Sequence, residues 1–319
     1  MNEDEELRDE LIRINNDQTN ILRATVKELS VVEKRAQKRD DSVIEELTQL
    51  NNEMANLQRE LARRNAELQR YRDAAEDEQR VAHHLMSRLV RIDMLRDPLL
   101  ECWIQPAHNL SGDLITAART PGGVLHVLLA DGTGHGLPAA LNVLPLVDPF
   151  YAMTEQGCGI AEIAREVNAK IYRWLPVGRF VAGALMAFDP ARRQLEVWCG
   201  GIPAPFLVDR AGRLRFEFGA MHLPLGVASE ERFDGSTQTL EVVERAQLVV
   251  CSDGTTEAIG RDGTPFGRER LLETLSVAPS SGRLDRLKAA LAEHLDGRPA
   301  SDDISVALID CVVSPPPFG

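Results

Sequence analysis

The chain has 319 residues, with 36 Lys and Arg against 49 Asp and Glu and a formal net charge of -13. So acidic a chain excludes nucleic acid and an anionic membrane surface as main partners, because phosphate groups demand a basic face. The length suits about two domains of roughly 100–200 residues each, and the apolar content is enough for a sizeable core.

No apolar run nears the ~18–20 residues of a membrane span, and no signal-peptide pattern opens the sequence, so a cytoplasmic location is expected. Cys102, Cys158, Cys199, Cys251 and Cys311 are scattered with no C-x-x-C. They read as reduced, mostly buried thiols and not as a zinc site.

Residues 1–97 carry neither Pro nor Gly and are rich in charge, Gln, Asn, Leu and Ala. A heptad register runs through Leu47, Leu50, Met54, Leu57, Leu61, Leu68, Tyr71, Leu85 and Leu89, with Arg64 and Glu78 as polar interruptions. That spacing predicts a parallel dimeric coiled coil, since a helix this long has nowhere else to bury its stripe. Upstream, Leu22, Val26 and Leu29 keep a short seam. Leu7, Leu11 and Ile14 fall in another phase, which a four-residue stutter reconciles. The polar stretch Arg35 to Ser42 is a weak point in the seam. Asp97-Pro98 is expected to end the helix, because the residue before Pro is pushed out of the α region.

From Leu99 the texture changes to short apolar runs broken by Gly and Pro. Strands are predicted over 100–104, 124–130, 180–188, 195–198, 206–208, 214–218, 248–251 and 304–309. Helices are predicted over 137–153, 160–175, 268–275 and 284–295. Strands in hairpins with helices in pairs favour stacked, mainly antiparallel sheets flanked by helices. The division expected is a helical dimerisation and regulatory segment at 1–97, a second domain at 98–312, and a Pro-rich disordered tail at 313–319.

Four acids share one grammar, a short approach of small or apolar residues and then a carboxylate beside a turn. They are Ser111-Gly112-Asp113, Ala130-Asp131-Gly132, Ser252-Asp253-Gly254 and Ser301-Asp302-Asp303. Each Asp-Gly pair alone reads as a surface turn, as Asp262-Gly263 does. Taken jointly, they form an oxygen-only donor set without His or Cys, which selects Mg²⁺ or Mn²⁺. Two such ions can activate a water and clamp a phosphoryl oxygen, so metal-assisted hydrolysis of a phosphate ester is the chemistry expected.

Residues 99–311 resemble the metal-dependent protein phosphatase (PPM) family, in its RsbU/SpoIIE-like bacterial branch. The stretches that carry the likeness are SGD at 111–113, LLADGTGHGLPAAL at 128–141, LPLGV at 223–227, SDGTTEA at 252–258, FGRERL at 266–271 and SDDISVAL at 301–308. The resemblance implies an α+β fold, an α/β/β/α sandwich with metals at one edge of the sheets. It implies a protein serine/threonine phosphatase whose substrate is a regulatory phosphoprotein, commonly a STAS-type anti-sigma-factor antagonist.

Carried over by position, the resemblance makes Asp131 the acid shared by two Mn²⁺ or Mg²⁺ ions, with the Gly132 carbonyl completing one shell. Asp253 and Asp302 would hold the first ion, and Asp113 would stand on the side of the second. Asp303 would take a supporting role or part in a third-metal site. Thr116 stands where many branch members have another acid, and Thr133 where eukaryotic members have His. His135 reads as a loop-shaping residue, and Cys251 as a buried small residue on the face of Asp253. The competing reading is a non-catalytic binding module on the same fold, and a weaker one is a small-molecule phosphatase. The partners expected are the phosphoprotein, a second copy of the chain through the coiled coil, and an upstream sensor or activator.

Overall fold

The structure is a computed structural model that describes residues 3–89, 92–107, 110–134, 136–219 and 222–312. It divides into two compact units, residues 1–75 and 76–319. His135 and the tail at 313–319 lie outside the described residues.

The helix α1 runs Glu3–Leu89, and the described part of the first unit lies on it. The seam residues Leu47, Leu50, Met54, Leu57, Leu61 and Leu68 are each 56–64% exposed. A stripe of leucines this open has no partner among the described residues of the first unit. The side chains of Leu85 and Leu89 lie outside the described residues.

The helix does not continue to Asp97 as expected. α1 ends at Leu89, and a 3-10 turn at Ile92–Arg96 follows. Asp97 is then drawn into a different task. One carboxylate oxygen accepts the Leu99 N–H at 3.0 Å, and the pair of oxygens grips the Arg119 guanidinium at 2.6 and 2.9 Å.

The rest of the second unit follows in order as β1 (Leu100–Gln105), β2 (Asp113–Arg119), β3 (Leu125–Gly132), α2 (Gly136–Glu155), α3 (Ile160–Trp174), β4 (Val181–Asp189) and β5 (Gln194–Gly200). Then come β6 (Phe206–Asp209), β7 (Leu214–Glu217), β8 (Gln238–Glu241), β9 (Ala246–Cys251), α4 (Asp253–Glu257), α5 (Gly267–Ser276), α6 (Arg283–Leu295) and β10 (Ile304–Cys311). One sheet has the order β1-β10-β9-β6-β7 and the other β2-β3-β4-β5-β8. Every strand pair is antiparallel.

Strand alternation explains how four layers stack. In β3, Leu125, Val127 and Leu129 enter the core between the sheets, together with Leu248, Val250, Ala307 and Ile309 of the other sheet. Leu128 and Ala130 point the other way, into a core with Val143, Phe150, Ile163 and Val167 of α2 and α3. The second sheet does likewise, setting Val249, Cys251, Val306 and Leu308 against Leu271, Leu287 and Leu291 of α5 and α6. A strand covered on both faces reads as an unbroken apolar run, which is why β3 was visible in the sequence. The expected α/β/β/α sandwich is the one found.

Two strands escaped the sequence. β2 is DLITAAR, whose small residues carry weak strand propensity, and β8 is QTLE, an edge strand with alternate residues in solvent. Both are defined by their neighbours.

Candidate metal centre

β2 and β3 pair with Asp113 directly opposite Asp131. On each strand the alternation that sends Ile115, Ala117, Val127 and Leu129 between the sheets sends the acid to the same side. The other sheet supplies its acids at the ends of two neighbouring strands. β9 stops at Cys251, and Asp253 opens α4 two residues later; Asp302 and Asp303 immediately precede β10. Because β9 and β10 are paired, with Cys251 opposite Val306, their acids reach one edge.

The acids lie near enough to shift one another's titration. The Asp131 carboxyl is pushed up to about 9, first by burial and then by the charges of Asp113, Asp253 and Asp302. Burial also lifts Asp113 to about 7, with the Ser305 and Ser252 hydroxyls offsetting part of it and Asp303 and Asp302 adding to it. Asp253 is raised by burial, then by Asp302 and Glu257. Crowded carboxyls in a half-dry site hold protons unless a cation replaces them.

Asp303 differs from the rest. Its side chain accepts the Ala107 N–H at 2.7 Å on one oxygen and the Gly112 N–H on the other. It is buried and pins the loop that delivers Asp113. Ser252 performs a parallel task, donating to the Asp303 carbonyl at 3.1 Å while accepting the Ser305 N–H at 3.0 Å. Close approach demands glycine at two places. A Cβ on Gly254 would lie 2.2 Å from the Asp303 carbonyl oxygen, and one on Gly132 would lie 2.6 Å from that of Ala139.

Thr116 is on the other face of β2. It is buried and donates its hydroxyl hydrogen to the Tyr151 hydroxyl of α2. Its replacement of an acid therefore takes no carboxylate from the edge where Asp113 and Asp131 lie. Thr133 has a bracing role, since its carbonyl accepts from Asn142 of α2 at 3.2 Å and from the Arg179 guanidinium at 3.0 Å. Cys251 is buried as expected and packs with residues of α5 and α6, within reach of the Asp253 charge. Burial pushes its thiol up to about 12, out of use as a nucleophile.

The sequence reading missed Ser252, Ser305 and Arg179. The two serines lie inside recognised motifs, where a hydroxyl beside each acid was the available signal. Arg179 sits in an ordinary loop, and nothing local marks it.

A divalent cation fits these residues. The Oδ2 atom of Asp113 is buried with no hydrogen-bond partner among the described residues, a state that costs free energy unless a ligand supplies the missing contact. The donors are hard oxygens throughout. Among the described residues no three acids already stand as a metal-holding group. Asp302 is exposed, with Oδ1 accepting the Asp303 N–H at 2.8 Å, and Asp253 is partly exposed.

A family model described as Stage II sporulation protein E (SpoIIE) matches residues 121–312, more than half of the chain. The chain belongs to that family. The phosphoserine phosphatase RsbP of Bacillus subtilis (strain 168) is 21% identical over 238 residues, covering 70% of this chain and 57% of that protein. The phosphoserine phosphatase RsbU of the same organism is 22% identical over 158 residues, covering 50% of this chain and 46% of that one. The chain thus spans about half the length of the curated relatives it matches. Among solved structures, the SiaA-PP2C domain of Pseudomonas aeruginosa superposes with a TM-score of 0.64 at 20% identity, covering 75% of this chain and 98% of that one. That likeness carries the fold.

Proposed function

We propose that this SpoIIE-family chain is a divalent-metal-dependent phosphatase that removes phosphate from serine or threonine of a regulatory protein, with a STAS-type antagonist as the substrate class. The observation that carries the reading is the register that sets Asp113 directly opposite Asp131, at the edge that Asp253 and Asp302 reach from the paired strands β9 and β10. Two curated relatives named phosphoserine phosphatases support the choice of substrate class.

In this reading Asp131 and the Gly132 carbonyl, with Asp253 and Asp302 on one side and Asp113 on the other, would hold Mn²⁺ or Mg²⁺. When bound, the ions supply Lewis acidity, which activates water for in-line attack and neutralises phosphoryl charge. Asp303 acts through Asp113, by fixing the Gly112 and Ala107 amides of its loop. Ser252 holds the ends of β9 and β10 together through the Asp303 carbonyl and the Ser305 amide. No covalent enzyme intermediate is needed.

Residues 1–97 are the dimerising and regulatory segment of this reading, and residues 98–312 the catalytic one. The exposed leucine stripe supports a homodimer. Two contacts offer a route for control within the second unit. Asp97 grips Arg119 at one end of β2 while Asp113 occupies the other end. Asn142 of α2 holds the Thr133 carbonyl just beyond Asp131. A shift of either element would move an acid.

The deciding experiment is phosphate release from a phosphoserine-bearing STAS-type protein with Mn²⁺ or Mg²⁺. Asp131→Ala, Asp253→Ala and Asp302→Ala are expected to abolish release while the fold survives. Full activity of all three in excess EDTA refutes the reading. Light scattering at micromolar concentration tests the dimer, and a monomeric mass excludes it.

A further inference from the structure

We propose that Arg179 recruits the phosphoryl group at this edge, an inference that rests on the phosphatase reading above. Among the described residues, Arg179 is the only basic side chain hydrogen-bonded to any of the acid-bearing segments 111–113, 131–134, 252–254 and 301–303. It uses a single donor there, Nη1 to the Thr133 carbonyl at 3.0 Å. A guanidinium carries five N–H donors in a planar fork. The remainder of this fork reaches no protein acceptor and no ion-pair partner among the described residues. The side chain is exposed.

The backbone presents it rigidly. Residues 176–179 form a tight turn, in which the Arg179 N–H donates to the Pro176 carbonyl at 3.0 Å and Gly178 takes a φ of +87°. The next residue is tied down as well, because the Thr133 N–H donates to the Phe180 carbonyl at 3.2 Å. Gly134 leaves the guanidinium its place, since a Cβ there would lie 3.2 Å from Nη1. Arg179 is thereby fixed against the loop that follows Asp131 and Gly132, with most of its donors unused.

Charge balance gives those donors a task. With Asp113, Asp131, Asp253, Asp302 and Asp303 as carboxylates, two divalent ions would leave the edge with no surplus of positive charge for an arriving phosphate dianion. One guanidinium on the Thr133 carbonyl, two residues beyond Asp131, supplies that positive charge. Its planar fork matches two phosphate oxygens in a way a lysine cannot.

The test compares wild type, Arg179→Ala and Arg179→Lys, each loaded with Mn²⁺. The readouts are KM and kcat on p-nitrophenyl phosphate, and calorimetric binding of Mn²⁺ and of inorganic phosphate. The alanine variant is expected to raise KM and weaken inorganic phosphate binding by about 10–100-fold, the worth of a charge-assisted pair. Mn²⁺ affinity should stay within about threefold, and lysine should restore only part of the phosphate affinity. Unchanged phosphate binding and KM overturn the inference. So does a parallel loss of Mn²⁺ affinity, which would make Arg179 a brace for the loop. If wild type binds inorganic phosphate but hydrolyses neither p-nitrophenyl phosphate nor a phosphoprotein, the phosphatase reading fails. The phosphate affinities of the three proteins still decide the part played by Arg179.

Discussion

Asp113 and Asp131 stand directly opposite one another on adjacent antiparallel strands, and both point between the sheets. Like charges in that relation are destabilising in an ordinary sheet. Here each carboxyl is shifted upward, so the metal-free protein stores protons at the position proposed for its cations.

The sign of the resulting pH dependence follows from linkage. Both carboxyls start from 3.8 and rise to about 7 and about 9 in the folded chain. The native state therefore holds protons that the unfolded state has released, and stability of the metal-free protein falls as pH rises from about 4 to about 9. Urea melts in EDTA should show this decline. It should be shallower in Asp131→Asn, and Mn²⁺ should reverse it in wild type only. At about 100 times its Kd, a bound ion adds about 2.7 kcal/mol. A metal-free protein whose stability rises from pH 7 to 9 contradicts the prediction.

His126 gives the opposite slope. It is buried on β3 against the Thr154 hydroxyl, with 3.1 Å from Nδ1 to Oγ1, and burial lowers it from 6.5 to about 4. Below pH 6.5 the unfolded chain takes up a proton that the native chain refuses. Stability from this group is then lost as pH falls towards about 4. His126→Asn should be less sensitive to acid than wild type over that window. Because the acids titrate in the same window with the reverse sign, the difference between the two proteins is the quantity to read.

Gly254→Ala places a methyl 2.2 Å from the Asp303 carbonyl oxygen. The backbone of Asp303 must move, and with it the amides that its side chain holds. A cost of about 1–3 kcal/mol is expected in denaturant melts, with a fall in Mn²⁺ affinity beyond what the stability loss explains. An unchanged metal affinity would show that this loop adapts.

Arg283 tests the far side of the second sheet. Its guanidinium is buried and donates to the carbonyls of Leu275, Asp209 and Arg210 and to the Gln247 side chain. Arg283→Met keeps the apolar stem and orphans these acceptors. The expected loss is about 2–4 kcal/mol by urea midpoint, with the response to Mn²⁺ retained in the folded fraction.

The sequence alone determined whatever is written locally. Heptad spacing marked α1, unbroken apolar runs marked β3 and β4, and an acid beside a small residue marked Asp113, Asp131, Asp253 and Asp302. Order and spacing of the motifs then pointed to the family. Relations between distant segments depended on register, and register is set by partners far along the chain. Tertiary structure alone decided that Asp113 faces Asp131, that Thr116 looks away towards Tyr151, and that Asp303 ties down a loop. It turned Cys251 to the helices, and it drew strands from the weak stretches at Asp113–Arg119 and Gln238–Glu241 by giving each a neighbour. It also carried Arg179 to the Thr133 carbonyl, 46 residues away in the chain. The physical reason is that side-chain period and turn chemistry are properties of a few consecutive residues. The face a side chain occupies is a property of the sheet.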